Sequence, residues 1–224
     1  MSNKEDGKIR EGVKSNGINR LLFSEEKGEC SGSGRNDEAS DFLRRNVSAS
    51  SCSEQEKGLI EWAKENKCLF EEKDYLKIRS VFKYIKHGQE SEVYSYGDGK
   101  YVLKVTDYMQ YSQTPLDFLD YRITAHNIIF PETKYSLVGI YWDNDSKILY
   151  FITKQLFIKG EEEPMLYEIE DEMKKRGFVK DGTHSYILMG KDGKVHMRIS
   201  DLHQGNFVKN KDGIFCIDPV IKIC

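Results

Sequence analysis

Apolar residues are sparse over residues 1 to about 55, a stretch rich in Ser, Gly, Asn, Glu and Lys. Gly28-Glu-Cys-Ser-Gly-Ser-Gly-Arg-Asn36 has the make-up of a flexible linker. Two short clusters, Leu21-Leu22-Phe23 and Phe42-Leu43, break the polar run, and a helical turn is predicted over Asp41 to Asn46. Residues 1–52 therefore read as an adaptor-like extension without a core of its own, able to dock on the rest of the chain or on a protein partner. From Ser53 the pattern turns helical. Ser53-Glu-Gln-Glu56 reads as a capping box, and Leu59, Ile60 and Ala63 form a stripe that predicts a helix over about 53–66. A shorter helix around Glu72 to Arg79 completes a helical lead-in, 53–80.

At residue 81 the period switches to alternation, which marks a domain boundary. Val81 to Lys86, Ser91 to Tyr96 and Tyr101 to Val105 read as strands, the last two joined by Gly97-Asp-Gly99, a strong hairpin signal. Thr114, Pro115 and Asp117 look like an N-cap, a first-turn proline and a first-turn acid, opening a helix to about Asn127 that Pro131 ends. Strands over about 136–142 and 147–157 flank the polar turn Asp143-Asn-Asp-Ser146. A helix from Pro164 to about Arg176 ends at Gly177. Four short strands follow: Ser185 to Met189, Val195 to Ile199, Phe207-Val208 and Ile214 to Ile217. This order predicts an α+β fold, a mostly antiparallel sheet with one helix packed on it.

With 38% hydrophobic and 12% aromatic residues, the 224-residue chain has enough apolar material for a packed core. Its net charge of −3 gives no direct signal for nucleic acid. The five cysteines are scattered without a C-x-x-C pair, which fits reduced thiols better than a disulfide framework or a zinc knuckle. No apolar run approaches a bilayer span and the N-terminus is polar, so a soluble cytoplasmic protein with no membrane partner is expected.

The chemistry concentrates in Ile199-Ser-Asp-Leu-His-Gln-Gly-Asn-Phe-Val208 and Ile217-Asp-Pro219. Asp201 and Asn206 stand at the two ends of one short loop, and a second acid, Asp218, follows. Asn206 Oδ1 and the Asp218 carboxylate are hard oxygen ligands of the kind Mg²⁺ requires, and Asp201 could orient an attacking hydroxyl. His203 has the chemistry of a base, although a single loop histidine is more often solvated. Glu161-Glu-Glu163, before a helix, suits the positive end of its dipole better than a metal. Tyr108, Tyr111 and Tyr121 read as core more readily than as a ligand wall.

This arrangement resembles protein kinases and, more closely, compact kinase-like phosphotransferases. Gly88-Gln-Glu-Ser-Glu-Val-Tyr94 resembles a shortened phosphate-covering hairpin, and Tyr101-Val-Leu-Lys104 the strand whose lysine holds the α- and β-phosphates. Together with Phe130-Pro-Glu-Thr133, Gln155-Leu-Phe-Ile-Lys-Gly160 and Asp201-Leu-His-Gln-Gly-Asn206, the set is similar to the kinase-like domain of polyvalent proteins of phages and conjugative elements, over roughly residues 55 to 222. The resemblance implies a compact two-lobed protein-kinase-like fold over 81–224, with an antiparallel N-lobe sheet and one helix (81–157) and a truncated C-lobe (158–224). It implies an ATP/Mg²⁺-dependent phosphotransferase. Lys104 and Asp201 would be catalytic, and Asn206 and Asp218 would hold the metal. Gly88, Gln89, Glu90, Val93, Val102, Lys104, Gln155 and Ile217 would line the nucleotide site.

The chain departs from that pattern in several places. A single glycine, Gly88, stands in the phosphate loop, Ile199-Ser200 replaces His-Arg before Asp201, and Pro219 follows Asp218. No Glu lies in the helix 115–127 to pair with Lys104, so Asp117 or Asp120 substitutes or the pair is absent. The six residues after Asp218 carry no activation segment, which implies a site completed by another polypeptide or a substrate that is not a folded protein. A catalytically inactive, kinase-shaped interaction module of a mobile element is the rival reading, and an α+β protein without a nucleotide is the third. Convergence of Lys104, Asp201, Asn206 and Asp218 on one cleft is what separates the first two from the last.

Overall fold

A computed structural model describes residues 34–47, 51–87, 91–96 and 99–224. Leu21-Leu22-Phe23, the linker-like stretch before Gly34 and the loop residues Gly88, Gln89 and Glu90 lie outside them. Helix α1 spans Arg35–Asn46, well beyond the predicted turn, and starts where the Asp37 carboxylate accepts from Gly34 N. The α2 helix, Cys52–Glu65, is capped two residues before the expected position. Ser51 is the capping residue: its Oγ accepts from Glu54 N while Glu54 accepts from Ser51 N at 2.8 Å. Strand β1 (Leu69–Phe70) and helix α3 (Glu72–Val81) lead into strands β2 (Lys83–His87), β3 (Ser91–Tyr96) and β4 (Tyr101–Asp107).

Thr114 Oγ1 accepts from Asp117 N and opens helix α4, residues 115–129, as the sequence predicts. Its winding is less regular. An α turn (Pro115–Asp117) passes into a π-wound stretch (Phe118–Ala125) and back to α (His126–Ile129). Such widened turns are rare and recur at functional sites. Strands β5 (Tyr135–Asp143) and β6 (Ile148–Leu156) complete a six-stranded sheet in the order β1-β5-β6-β4-β3-β2.

Neighbours in this sheet run antiparallel except β1, which lies parallel to β5 and was not predicted. Gly139 makes that pairing feasible. A Cβ there would meet Cys68 O at 2.1 Å and the Phe70 ring at 2.7 Å, at the point where the β5–β6 register shifts. Period-2 alternation gives each face its own core. On one face, Phe70, Ile78, Tyr94, Leu103, Val105 and Ile152 pack under α3. On the other, α1, α2 and α4 deliver Leu43, Leu59, Trp62, Phe118 and Ile123 against Tyr135, Ile140 and Phe151. The Phe42-Leu43 cluster does dock: Ala39 and Leu43 are fully buried in this second core. So α1 and α2 share the face on which the sequence predicted one helix.

Helix α5 (Leu166–Lys175) precedes a second, antiparallel sheet, ordered β12-β9-β8-β7. It comprises β7 (Val179–Lys180), β8 (Tyr186–Met189), β9 (Val195–Ser200) and β12 (Val220–Ile223), and the hairpin β10 (Phe207–Asn210) with β11 (Gly213–Cys216) lies between β9 and β12 in sequence. A third apolar cluster holds Ile169, Met173, Phe178, Ile199, Leu202 and Phe207, and Ala125 and Phe130 from the end of α4 join it. Pairing of β12 with β9, which the sequence did not reveal, closes the chain around Ile217-Asp218-Pro219. No helix of the described residues is long and apolar enough to cross a membrane.

Candidate functional site

Lys104 sits in the middle of β4, between Val93 on β3 and Thr153 on β6. Alternation puts it on the same face as Val102, and β6 places Gln155 opposite Val102. Val93, Val102, Lys104 and Gln155 line a cleft with Ile217 and Asp218, which follow β11. Ile85, Leu156, Phe157, Ile158 and Val208 complete its wall. Six positions singled out by sequence thus share one mostly apolar cavity with a charged end.

That charged end is tightly connected. Lys104 Nζ donates to Tyr135 Oη at 2.7 Å and to Ile217 O at 3.0 Å, and it lies 3.3 Å from Asp218 Oδ1. The Tyr135 hydroxyl in turn donates to Ile217 O at 2.7 Å. Arg122, from the π-wound stretch of α4, bonds Asp218 Oδ1 through Nη2 and Pro219 O through Nη1. Its guanidinium stacks 4.2 Å from the Tyr111 ring centroid. Neither Asp117 nor Asp120 takes the expected place beside Lys104: Asp120 pairs with Arg44 at 2.5 Å, and among the described residues the carboxylate paired with Lys104 is Asp218. The helix contributes a cation where an acid was sought.

Lys104 and Arg122 are both buried, so one partly exposed carboxylate answers two positive charges. Burial pulls Lys104 below its ordinary pKa, with Tyr135 opposing the shift. Nearby His126 adds no charge, because burial and then Arg122 hold it down to about 3. Phe130-Pro-Glu-Thr133 braces the floor. Thr133 O accepts from Gln155 Nε2 at 2.8 Å and from His126, Thr133 Oγ1 donates to Cys216 O, and Glu132 pairs with Arg176 beyond α5.

Asp201 and Asn206, in the loop after β9, are not among the residues that line this cleft, and the loop is joined to it through the Asp218 segment. Asp201 adopts a left-handed backbone (φ +62°), which Asp tolerates better than most residues. Buried Asn206 donates through Nδ2 to Asp201 O at 2.8 Å and Asp201 Oδ2 at 2.7 Å, which leaves Asn206 Oδ1 as its acceptor atom. Ile217 N donates to Asn206 O at 2.9 Å, so the loop and the Asp218 segment are hydrogen-bonded together. His203 Nδ1 accepts from Gly205 N, while its Nε2 lies 3.6 Å from Asp201 Oδ1, too far for a hydrogen bond. Among the described residues no group of three or more His, Cys, Asp or Glu forms a metal cluster.

Arg122 and Tyr135 escaped the sequence reading. Arg122 has apolar Leu119 and Ile123 near it in sequence, which was the available signal, but α periodicity misaligns a π-wound face. No curated protein and no solved structure matches the chain. A family model described as serine/threonine/tyrosine kinase found in polyvalent proteins matches residues 52–224, and over that span the order of Lys104, Asp201, Asn206 and Asp218 is the one laid out above. The chain belongs to this kinase family of polyvalent proteins.

Proposed function

We propose that the chain is an ATP-binding, Mg²⁺-dependent phosphotransferase of two lobes, the six-stranded sheet with its helices forming one and the segment from residue 158 the other. Carrying this reading is the shared cleft of Val93, Val102, Lys104, Gln155, Ile217 and Asp218, apolar at one end and charged at the other. A purine suits the space between Val93, Val102 and Ile217, beside Leu156 to Ile158, and Gln155, hydrogen-bonded to Thr133 O, supports the wall behind it. Lys104 meets the phosphates.

Asn206 Oδ1 and Asp218 fit Mg²⁺ as hard oxygen donors. Lys104 and Arg122 already engage Asp218 Oδ1, which would leave Oδ2 to the ion. When bound, the ion supplies charge neutralisation between phosphate oxygens. Asp201, half-exposed and anchored by Asn206, accepts the proton of an acceptor hydroxyl as that oxygen bonds to the γ-phosphorus and the bond to the ADP oxygen breaks. ATP with Mg²⁺ should raise thermal stability; Asp201→Asn should keep that gain and lose ATP turnover, and Asp218→Asn should lose the Mg²⁺-dependent part of the gain.

Arg122 on Asp218 and the missing helix acid favour a second reading, a nucleotide-binding module that turns nothing over. Measurable consumption of ATP that disappears in Asp201→Asn rules it out, whereas saturable binding without turnover establishes it.

A further inference from the structure

Arg122 is fixed on every side. Pro219 O and Asp218 take its two terminal nitrogens, and the rings of Tyr111 and Tyr135 lie 4.2 and 5.6 Å from its carbon centre. Being a guanidinium it stays charged at any pH the protein survives. In a site that depends on metal to hold nucleotide, the carboxylate equivalent to Asp218 repels the polyphosphate until a divalent ion neutralises it. Here that neutralisation is built into the chain. Lys104 and Asp218 line the cleft, and Arg122 is buried against Asp218 without lining it, so two cations outweigh the one carboxylate by a single positive charge at the cleft's charged end.

We propose that Arg122 is a resident counter-cation for Asp218, a positioning residue through which the cleft retains a nucleoside polyphosphate without divalent metal, with Mg²⁺ adding to binding and not enabling it. The inference rests on the nucleotide reading of the cleft but makes its own demand on it. A unit charge a few ångströms from a phosphate, at the effective dielectric of a partly buried site, changes affinity on the order of a hundredfold. Removing Arg122 therefore exposes the polyphosphate to an uncompensated Asp218 and transfers the burden to the metal.

Isothermal titration of the full chain with ATP, in EDTA and in excess Mg²⁺, reads this directly. For the wild type, affinity in EDTA should lie within about tenfold of that in Mg²⁺. Arg122→Gln should lose on the order of a hundredfold in EDTA and recover most of it with Mg²⁺, and Arg122→Lys should behave between the two. Asp218→Asn needs no folded Arg122 variant: freeing both cations should tighten binding in EDTA and abolish any gain from Mg²⁺. Wild-type binding that collapses by a hundredfold or more in EDTA, or an Arg122→Gln protein that binds as the wild type does in EDTA, overturns the proposal and leaves the nucleotide site standing. Absence of ATP binding in both conditions sinks the nucleotide reading itself, and this inference with it.

Discussion

Removing one oxygen atom, by Tyr135→Phe, tests whether the cluster around Lys104 is held as described. The ring is buried, and phenylalanine fills the same space, so no cavity contributes. What disappears is a hydroxyl that accepts from Lys104 Nζ at 2.7 Å and donates to Ile217 O at 2.7 Å. Ile217 O keeps Lys104 at 3.0 Å and Gln155 at 3.4 Å, so loss of its share costs little. The bond to the buried ammonium is the costly one, and hydrogen bonds to charged groups contribute about 1.5–3 kcal/mol. A destabilisation of about 2 kcal/mol should follow, lowering Tm by roughly 4–8 °C for a domain of this size. Urea unfolding gives the first figure and calorimetry the second. Because Lys104→Met removes the same bond from the other end, the double variant should be less destabilised than the sum of the two. Strict additivity, or a Tyr135→Phe effect below about 0.5 kcal/mol, would refute the linkage.

Other consequences are as direct. Gly139→Ala forces a Cβ to within 2.1 Å of Cys68 O, backbone that cannot step aside without parting β1 from β5, so a loss of at least about 2 kcal/mol is expected in urea unfolding. Leu43→Ala empties a fully buried position between α1 and the sheet and should cost about 2–4 kcal/mol, whereas a loose, undocked α1 would leave unfolding unchanged. His126 is neutral in the fold down to about 3 but titrates near 6.5 when unfolded, so between those values the unfolded chain binds the extra proton and stability falls as pH drops. Between pH 6.5 and 5 the loss should approach about 2 kcal/mol, and His126→Gln should flatten that part of the urea-stability profile. Lys104 carries the same sign at the other end: its depressed value makes the unfolded chain the better proton binder, and apo stability should rise with pH below 10.5.

The strands were legible because their signals are local. Ser91–Tyr96 has the predicted bounds, and the cap at Thr114 with Pro115 behind it is a short-range arrangement of side chain and backbone. Lys104 and Asp218, which the structure brings together, stood out for a similar reason, since charged residues in a fixed order carry their chemistry in their identity. What stayed hidden depends on distant partners. Leu69–Phe70 is too short to announce a strand and exists because Gly139 lets it approach β5. Val220–Ile223 becomes a strand by pairing with β9. Helix α1 extends back to Arg35 through a polar run, because burial of Ala39, Ser40 and Leu43 against other elements compensates for weak propensity. Arg122 stayed hidden because a π-wound helix rotates its face away from the one an α period assigns, and the helix brings a cation to Asp218 where an acid was expected.

The nucleotide's place in the fold can be read most directly by photolabelling the full chain with 8-azido-ATP and mapping the modified peptide. Label should fall on segments containing Val93, Val102 or residues 155–158, be displaced by unmodified ATP, and weaken in Lys104→Met. Modification confined to the face of the second sheet, or labelling that excess ATP does not displace, would contradict the assignment of this cleft to a nucleotide.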